Sequence, residues 1–192
     1  MPTATGSGTG LGAPPDFVSF CREEQPRLVA ALGVYLGARE VAEELVQEAL
    51  LRASQRWSRV RHLQRPGAWV RHVAFNLARS QVRRWRAEQR AAARHGEVPP
   101  VHHDADGAEA AAVRAAVAAL PERQRRALVL RAVVGLDVAA VAEEMNVSSA
   151  AVRSLTKRAT AAVRVQLDAP PASGMPRARG ESHDGEEADR AR

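Results

Sequence analysis

The sequence predicts an all-α protein: two small helical domains joined by a flexible linker, the second containing a helix-turn-helix. Two observations carry the class and a third the second domain. Apolar residues recur at spacings of three and four through most of the chain, the period of a helix with one buried face. No segment alternates with a period of two, and β-branched residues stand isolated among alanines and arginines. Finally, residues 138–166 (VAAVAEEMNVSSAAVRSLTKRATAAVRVQ) read as two short helices with a sharp break between them.

In order along the chain, residues 1–15 (MPTATGSGTGLGAPP) read as a disordered arm. They lack the charged-then-apolar order of a secretory signal. The first domain spans 16–92. Phe17, Phe20, Cys21, Leu28, Ala31, Leu32 and Tyr35 keep helical spacing, with Asp16 as the expected cap. Gly37-Ala38-Arg39 turns the chain, and Val41, Leu45, Ala49, Ala53 and Trp57 mark a second helix in steps of four. Residues 58–65 have no period and read as a loop. Pro66 then opens a helix over roughly 66–91, in the first-turn position where proline is tolerated. Its inward side is traced by Val70, Val73, Ala74, Leu77 and Gln81.

Residues 93–107 (ARHGEVPPVHHDADG) lack apolar rhythm and read as a linker that leaves the two domains at no fixed separation. The second domain spans 108–167. A helix of Ala and Val runs from Ala108 to Leu120, broken at Leu120-Pro121-Glu122. Leu128, Val129, Ala132 and Val133 build the next, which Gly135 closes. Val138, Val141, Ala142 and Met145 then form a short apolar stripe. Asn146 supplies the left-handed residue of a sharp helix end, and Ser148 the cap of the next helix. There Val152, Leu155, Ala159 and Val163 resume the stripe, while Arg153, Lys157 and Arg158 point elsewhere. Residues 168–192 read as a disordered tail.

The charge is not evenly spread. The chain has 28 Lys+Arg against 22 Asp+Glu, a net +6, yet twelve arginines lie between Arg52 and Arg94 with Glu88 as the only acid among them. On the helix from Pro66, His72, Asn76, Arg79, Arg83, Arg86 and Arg90 recur at steps of four and three and share one ridge. Without interleaved acids for i,i+4 pairing, such a ridge favours a polyanion, and nucleic acid is the polyanion expected. A helix presented as Arg153, Lys157 and Arg158 are can enter the major groove of DNA.

Catalytic chemistry cannot be assembled from this sequence. Glu43-Glu44 and Glu143-Glu144 are adjacent on helices, so their carboxylates point apart and are expected to be solvated. His95, His102 and His103 could in principle bind a metal with Asp104 or Asp106, but they sit in a flexible linker with no cysteine nearby, and no metal site is expected there. There is no Gly-rich phosphate loop and no serine nucleophile motif. No cofactor and no metal are expected. The lone Cys21 rules out an internal disulfide and suits a reducing cytoplasm, and no apolar run is long enough for a membrane span.

On the residues FVSFCREEQPRLVAAL, REVAEELVQEALLRASQRW and PGAWVRHVAFNLARSQVRRWR in the first domain, and LPERQRRALVLRAVVGLDVAAVAEEMNVSSAAVRSLTKRATAAVR in the second, the chain resembles the extracytoplasmic-function (ECF) sigma factors. These are small two-domain promoter-specificity subunits of bacterial RNA polymerase. The resemblance implies a subunit without catalytic activity that binds core polymerase and promoter DNA, with an anti-sigma factor as a further partner that the family allows. It implies polymerase contacts at Glu44, Gln47, Glu48 and Leu51. It implies capture of an unstacked base by the loop 58–68, with Val60 and Arg61, and by Asn76 on the helix behind it. Arg79, Arg83 and Arg86 would hold phosphates; Ser149, Arg153, Ser154, Lys157 and Arg158 would read the upstream promoter element. The chain departs from the family at Leu155-Thr156, at Ser149-Ala150 and at Val60, where an aromatic residue is common. The alternatives are a helix-turn-helix regulator that acts without polymerase and a recombinase fragment, the latter lacking the acids or serine it would need.

Overall fold

The computed structural model describes residues 15–95 and 107–168, and the arm, most of the linker and the tail lie outside them. All regular structure among the described residues is helical. The first domain comprises α1 (Pro15–Leu36), α2 (Arg39–Ser54), α3 (Trp57–Val60) and α4 (Pro66–His95). The second comprises α5 (Ala108–Ala118), α6 (Glu122–Ala132), α7 (Val138–Met145) and α8 (Ser149–Asp168).

In the first domain α1 and α2 pack side by side and α4 lies across both. Leu28, Ala31, Leu32 and Tyr35 face the core from α1, and Ala42, Val46 and Ala49 from α2. Gly37 takes a positive φ of 75° and donates to the Gly33 carbonyl at 2.8 Å, which ends α1 and lets the chain reverse. The expected loop at 58–65 begins instead with one helical turn, α3, because Trp57 and Val60 are pulled into the core. Phe17 and Phe20 hold that turn to α1, each with its ring centroid 5.0 Å from Trp57. Asp16 lies in the first turn of α1 rather than capping it. Its carboxylate accepts from Trp57 Nε1 at 2.9 Å and from Arg61 Nη1 at 3.3 Å. The Trp57 bond is the main reason its carboxyl sits below the usual carboxylate range.

The helix expected to stop near residue 91 runs to His95, three residues into the expected linker. Its inward face is also rotated: Val70, Ala74, Phe75, Ala78 and Val82 are buried, while Gln81 is half-buried. Phe75 is the main difference. It packs edge-on against Tyr35, at a centroid distance of 5.3 Å.

In the second domain α8 packs on α5, α6 and α7. The turn between α7 and α8 follows the expected residues. Asn146 is left-handed (φ 51°, ψ 56°) and Ser148 Oγ accepts from Ala151 N at 3.1 Å. Asp137 caps α7 by accepting from Ala140 N at 2.7 Å. On α6, Ala132 and Val133 are exposed, and Arg125, Ala127, Val129 and Leu130 are buried.

The two domains are not apart in this structure. α1 packs against α5 and α6, and one continuous core runs through both domains. Val117 and Leu120 join that core, and a pair of arginines on α6 adds to it. Arg125, 3% exposed, donates from Nη1 to the Tyr35 carbonyl and from Nη2 to the Leu120 carbonyl, both at 3.1 Å. Its guanidinium carbon lies 5.1 Å from the Tyr35 ring centroid, and that of Arg126 lies 5.4 Å from the Phe75 centroid. Arginine is suited to this: it stacks on aromatic faces and is weakly hydrated for a cation. Burial still pulls the Arg125 guanidinium below its ordinary value.

Candidate nucleic-acid and polymerase interfaces

The ridge on α4 forms because the helix is long and only one face is covered. His72, Asn76, Arg79, Arg83, Arg86 and Arg90 are all exposed along it. Two of these guanidiniums are locally anchored, Arg83 to Ser80 Oγ at 3.1 Å and Arg90 to the Arg86 carbonyl at 2.9 Å. The ridge therefore presents a line of positive charge with one amide, Asn76, near its start. Such a surface suits phosphates, while an exposed amide can both donate to and accept from a base edge.

The segment between α3 and α4 lies beside the start of the ridge. Arg61 is exposed and held by Asp16, and its Nε donates to His62 Nε2 at 3.2 Å. Val60 does not belong to this surface: at 3% exposed its side chain is core, and it supports the segment from below. A shallow hollow opens here, lined by Ser54, Gln55, Trp57, Ser58, Arg61 and His62. Ser54 and Gln55 are the additions that the structure makes to this surface. Their position at the end of an amphipathic helix carries no sequence signal of its own.

On α8, Arg153, Lys157 and Arg158 are exposed, and Ser149 and Ser154 are half-buried. Arg158 Nη2 donates to Ser154 Oγ at 2.8 Å, so these two act as one unit. Thr156 Oγ1 bonds back to the Val152 carbonyl at 2.9 Å. On α2, Glu44, Gln47 and Leu51 are exposed and Glu48 is half-buried. Glu48 pairs with Arg52 at 2.8 Å, and Leu51 stands 53% exposed beside them. An exposed leucine ringed by carboxylates and an amide suits a protein partner with a basic, partly apolar face.

The adjacent glutamates of α7 behave differently from expectation. Both reach the first domain: Glu143 accepts from Arg65 Nη1 at 2.7 Å and Glu144 from Arg71 Nε at 3.0 Å. Their side chains diverge on α7 yet meet arginines on either side of Pro66, which sequence spacing cannot reveal. Glu43 pairs with Arg39 at 3.0 Å. Among the described residues no group of His, Cys, Asp and Glu could hold a metal, and of the named linker residues only His95 lies within them. None of the described helices is long and apolar enough to cross a membrane.

Fold and surfaces together define a two-domain helical DNA-binding protein with a basic ridge on one domain and a helix-turn-helix on the other. Residues 20–88 match Sigma-70 region 2 and residues 110–163 match Sigma-70 region 4, together well over half of the chain. The chain belongs to the sigma-70 family, built of regions 2 and 4 alone among its matched segments, as the ECF resemblance implied. It is 32% identical over 158 residues to an uncharacterised protein of Rhizobium meliloti (strain 1021), covering 72% of this chain and 36% of that protein. The chain thus spans about a third of the length of that curated relative. It shares its fold with the sigma factor RpoE of Bartonella quintana, solved in complex with the anti-sigma factor NepR. There the TM-score is 0.63 at 22% identity, over 82% of this chain and 100% of the other. A match to the RsbN–BldN complex, 24% identical over 78% of this chain and 89% of that one, has a TM-score of 0.31, too low to bear on the fold.

Proposed function

We propose that this protein is an ECF sigma factor: it binds core RNA polymerase, recognises a promoter and promotes DNA melting, without catalysing a reaction itself. The observation that carries this reading is the succession of region 2 and region 4 on one chain, with exposed basic surfaces on both. α2 is the polymerase-docking element through Glu44, Gln47, Glu48 and Leu51. Region 2 spans 16–92, the segment 93–107 links it to region 4 at 108–167, and both DNA-facing domains act together on one promoter. The segment 58–68 with Arg61 and Asn76 holds an unstacked base. Extrusion costs a few kcal/mol, offset by an enclosing site and nearby phosphate contacts at Arg79, Arg83 and Arg86. Ser149, Arg153, Ser154, Lys157 and Arg158 read the upstream element, and an arginine paired to guanine there contributes about 1–3 kcal/mol of discrimination. The site of action is the cytoplasm, and an anti-sigma factor is the regulatory partner.

Run-off transcription with purified core polymerase on genomic fragments tests this. Specific transcripts that depend on the protein are expected, and they should vanish when Gln47 and Glu48 are both replaced by Arg. A protein that footprints one promoter tightly alone, and gains nothing from core polymerase, is instead an autonomous regulator.

A further inference from the structure

Arg65 and Arg71 stand outside the exposed ridge, yet they flank the amino-terminal turn of α4, where the helix dipole adds positive potential. Three carboxylates converge there. Arg71, 12% exposed, takes Glu144 at 3.0 Å and lies 4.0 Å from Glu24. Glu24 fits because Gly67 has no side chain: a Cβ there would lie 2.7 Å from its Oε1. Arg65 takes Glu143 at 2.7 Å. Two of the three acids come from region 4, from the first helix of its helix-turn-helix.

The pairing is unequal. Glu144 is 6% exposed, and its Oε1 is buried with no hydrogen-bond partner among the described residues. Arg126 Nε and Nη2, at the separate α6 contact with Phe75, are also buried with no hydrogen-bond partner among the described residues. Guanidiniums that donate to carboxylates, as Arg65 and Arg71 do here, donate equally well to phosphates.

We propose that Arg65 and Arg71 form a binding site for the phosphates of the DNA backbone, and that Glu143 and Glu144 of the protein's own α7 fill it in the closed form as an internal phosphate mimic. The proposal rests on the DNA-binding reading above and deepens it. DNA and α7 compete for the same two arginines, so the closed protein holds its region 2 surface partly masked. Release of α7 frees the arginines, while the contacts of α5 and α6 with α1 still hold the domains together.

The test uses the full-length protein and labelled duplex DNA of random sequence, with no polymerase. Glu143→Gln suits it, because Glu143 is 70% exposed and its replacement does not endanger folding. It should tighten binding roughly two- to fivefold at low salt, which is what an exposed ion pair is worth. Glu143→Gln with Glu144→Gln should tighten it further. Arg65→Ala with Arg71→Ala should instead weaken binding, lowering the salt slope by about 0.7–0.9 for each phosphate no longer held. Glu109→Gln, at an exposed acid in the first turn of α5, controls for net charge. The proposal is overturned if Glu143→Gln changes nothing, if Glu109→Gln gives the same gain, or if the gain survives in an Arg65→Ala background. Because no polymerase is present, any of these results would leave the sigma-factor reading standing on its own transcription assay.

Discussion

Region 2 holds all three Phe, all three Trp and the one Tyr of the chain, from Phe17 to Trp85, and region 4 holds none. The largest fully buried side chains of region 2 are Tyr35, Phe75, Leu28 and Leu32, whereas those of region 4 are Leu130 and three valines. Region 2 therefore closes its own core with large rings. Region 4 is small, rich in alanine, and has too little apolar volume to bury much by itself. It completes its packing by laying Arg125 and Arg126 on the rings of Tyr35 and Phe75. A domain that borrows its neighbour's surface is stable while docked and less so when released.

The largest effect that could break this comparison is at the shared ring. Tyr35→Ala should cost about 3–5 kcal/mol, the range for emptying a buried aromatic site. Both domains should become less stable together in urea, because the ring is core to one and platform to the other. If only region 2 is destabilised, the dependence of region 4 is refuted.

Arg125→Met keeps the volume and removes the charge and two hydrogen bonds. It should destabilise region 4 by about 1–3 kcal/mol and region 2 hardly at all. Tryptophan fluorescence reports region 2 alone, since all three tryptophans lie there, while far-ultraviolet ellipticity reports both. The two transitions, coincident in the wild type, should separate.

Asp137→Ala removes the cap of α7 and should cost about 1 kcal/mol. The change should appear in ellipticity and not in fluorescence, which marks it as a region 4 effect.

The smallest expected effect lies in region 2. The Asp16 carboxyl is held below its ordinary value of 3.8 chiefly by Trp57 and also by Arg61. A lowered acid contributes stability that is present above the ordinary value and lost as the pH falls through the lower folded one. Asp16→Asn should therefore slightly lower the fluorescence-detected stability at neutral pH and flatten its acid limb below about pH 4, where the wild type has already lost the contribution. An unchanged acid limb would show that the Trp57 and Arg61 contacts carry no such linkage.

Much of the fold is legible in residues alone, because helices, caps and turns are local. Asn146 must sit where a left-handed residue ends α7, Ser148 three residues before the N–H it accepts, and Gly37 where the chain reverses. The exposed ridge from Asn76 to Arg90 follows from a step of three and four on a helix with one buried face. The class of protein follows too, since the order of the motifs is itself one-dimensional. Pattern and structure part where distant segments meet. Val60 reads as part of the DNA-facing surface and is core, because Trp57 and the two phenylalanines of α1 draw that turn inward. Phe75 falls outside the inward stripe that the pattern traces on α4, because its place is decided by Tyr35 and Arg126. Glu143 and Glu144 read as solvated, because their partners lie more than seventy residues away.

The sequence by itself determined every described helix except the single turn α3, in nearly the right places, together with the turn of the helix-turn-helix and the charge of two surfaces. Each of these depends on neighbours within about four positions. Only the tertiary structure decided that the two domains pack on one another. A guanidinium over a ring or against a carboxylate depends on the three-dimensional distance between them, and nothing in the spacing of Arg125 and Tyr35 along the chain encodes that distance.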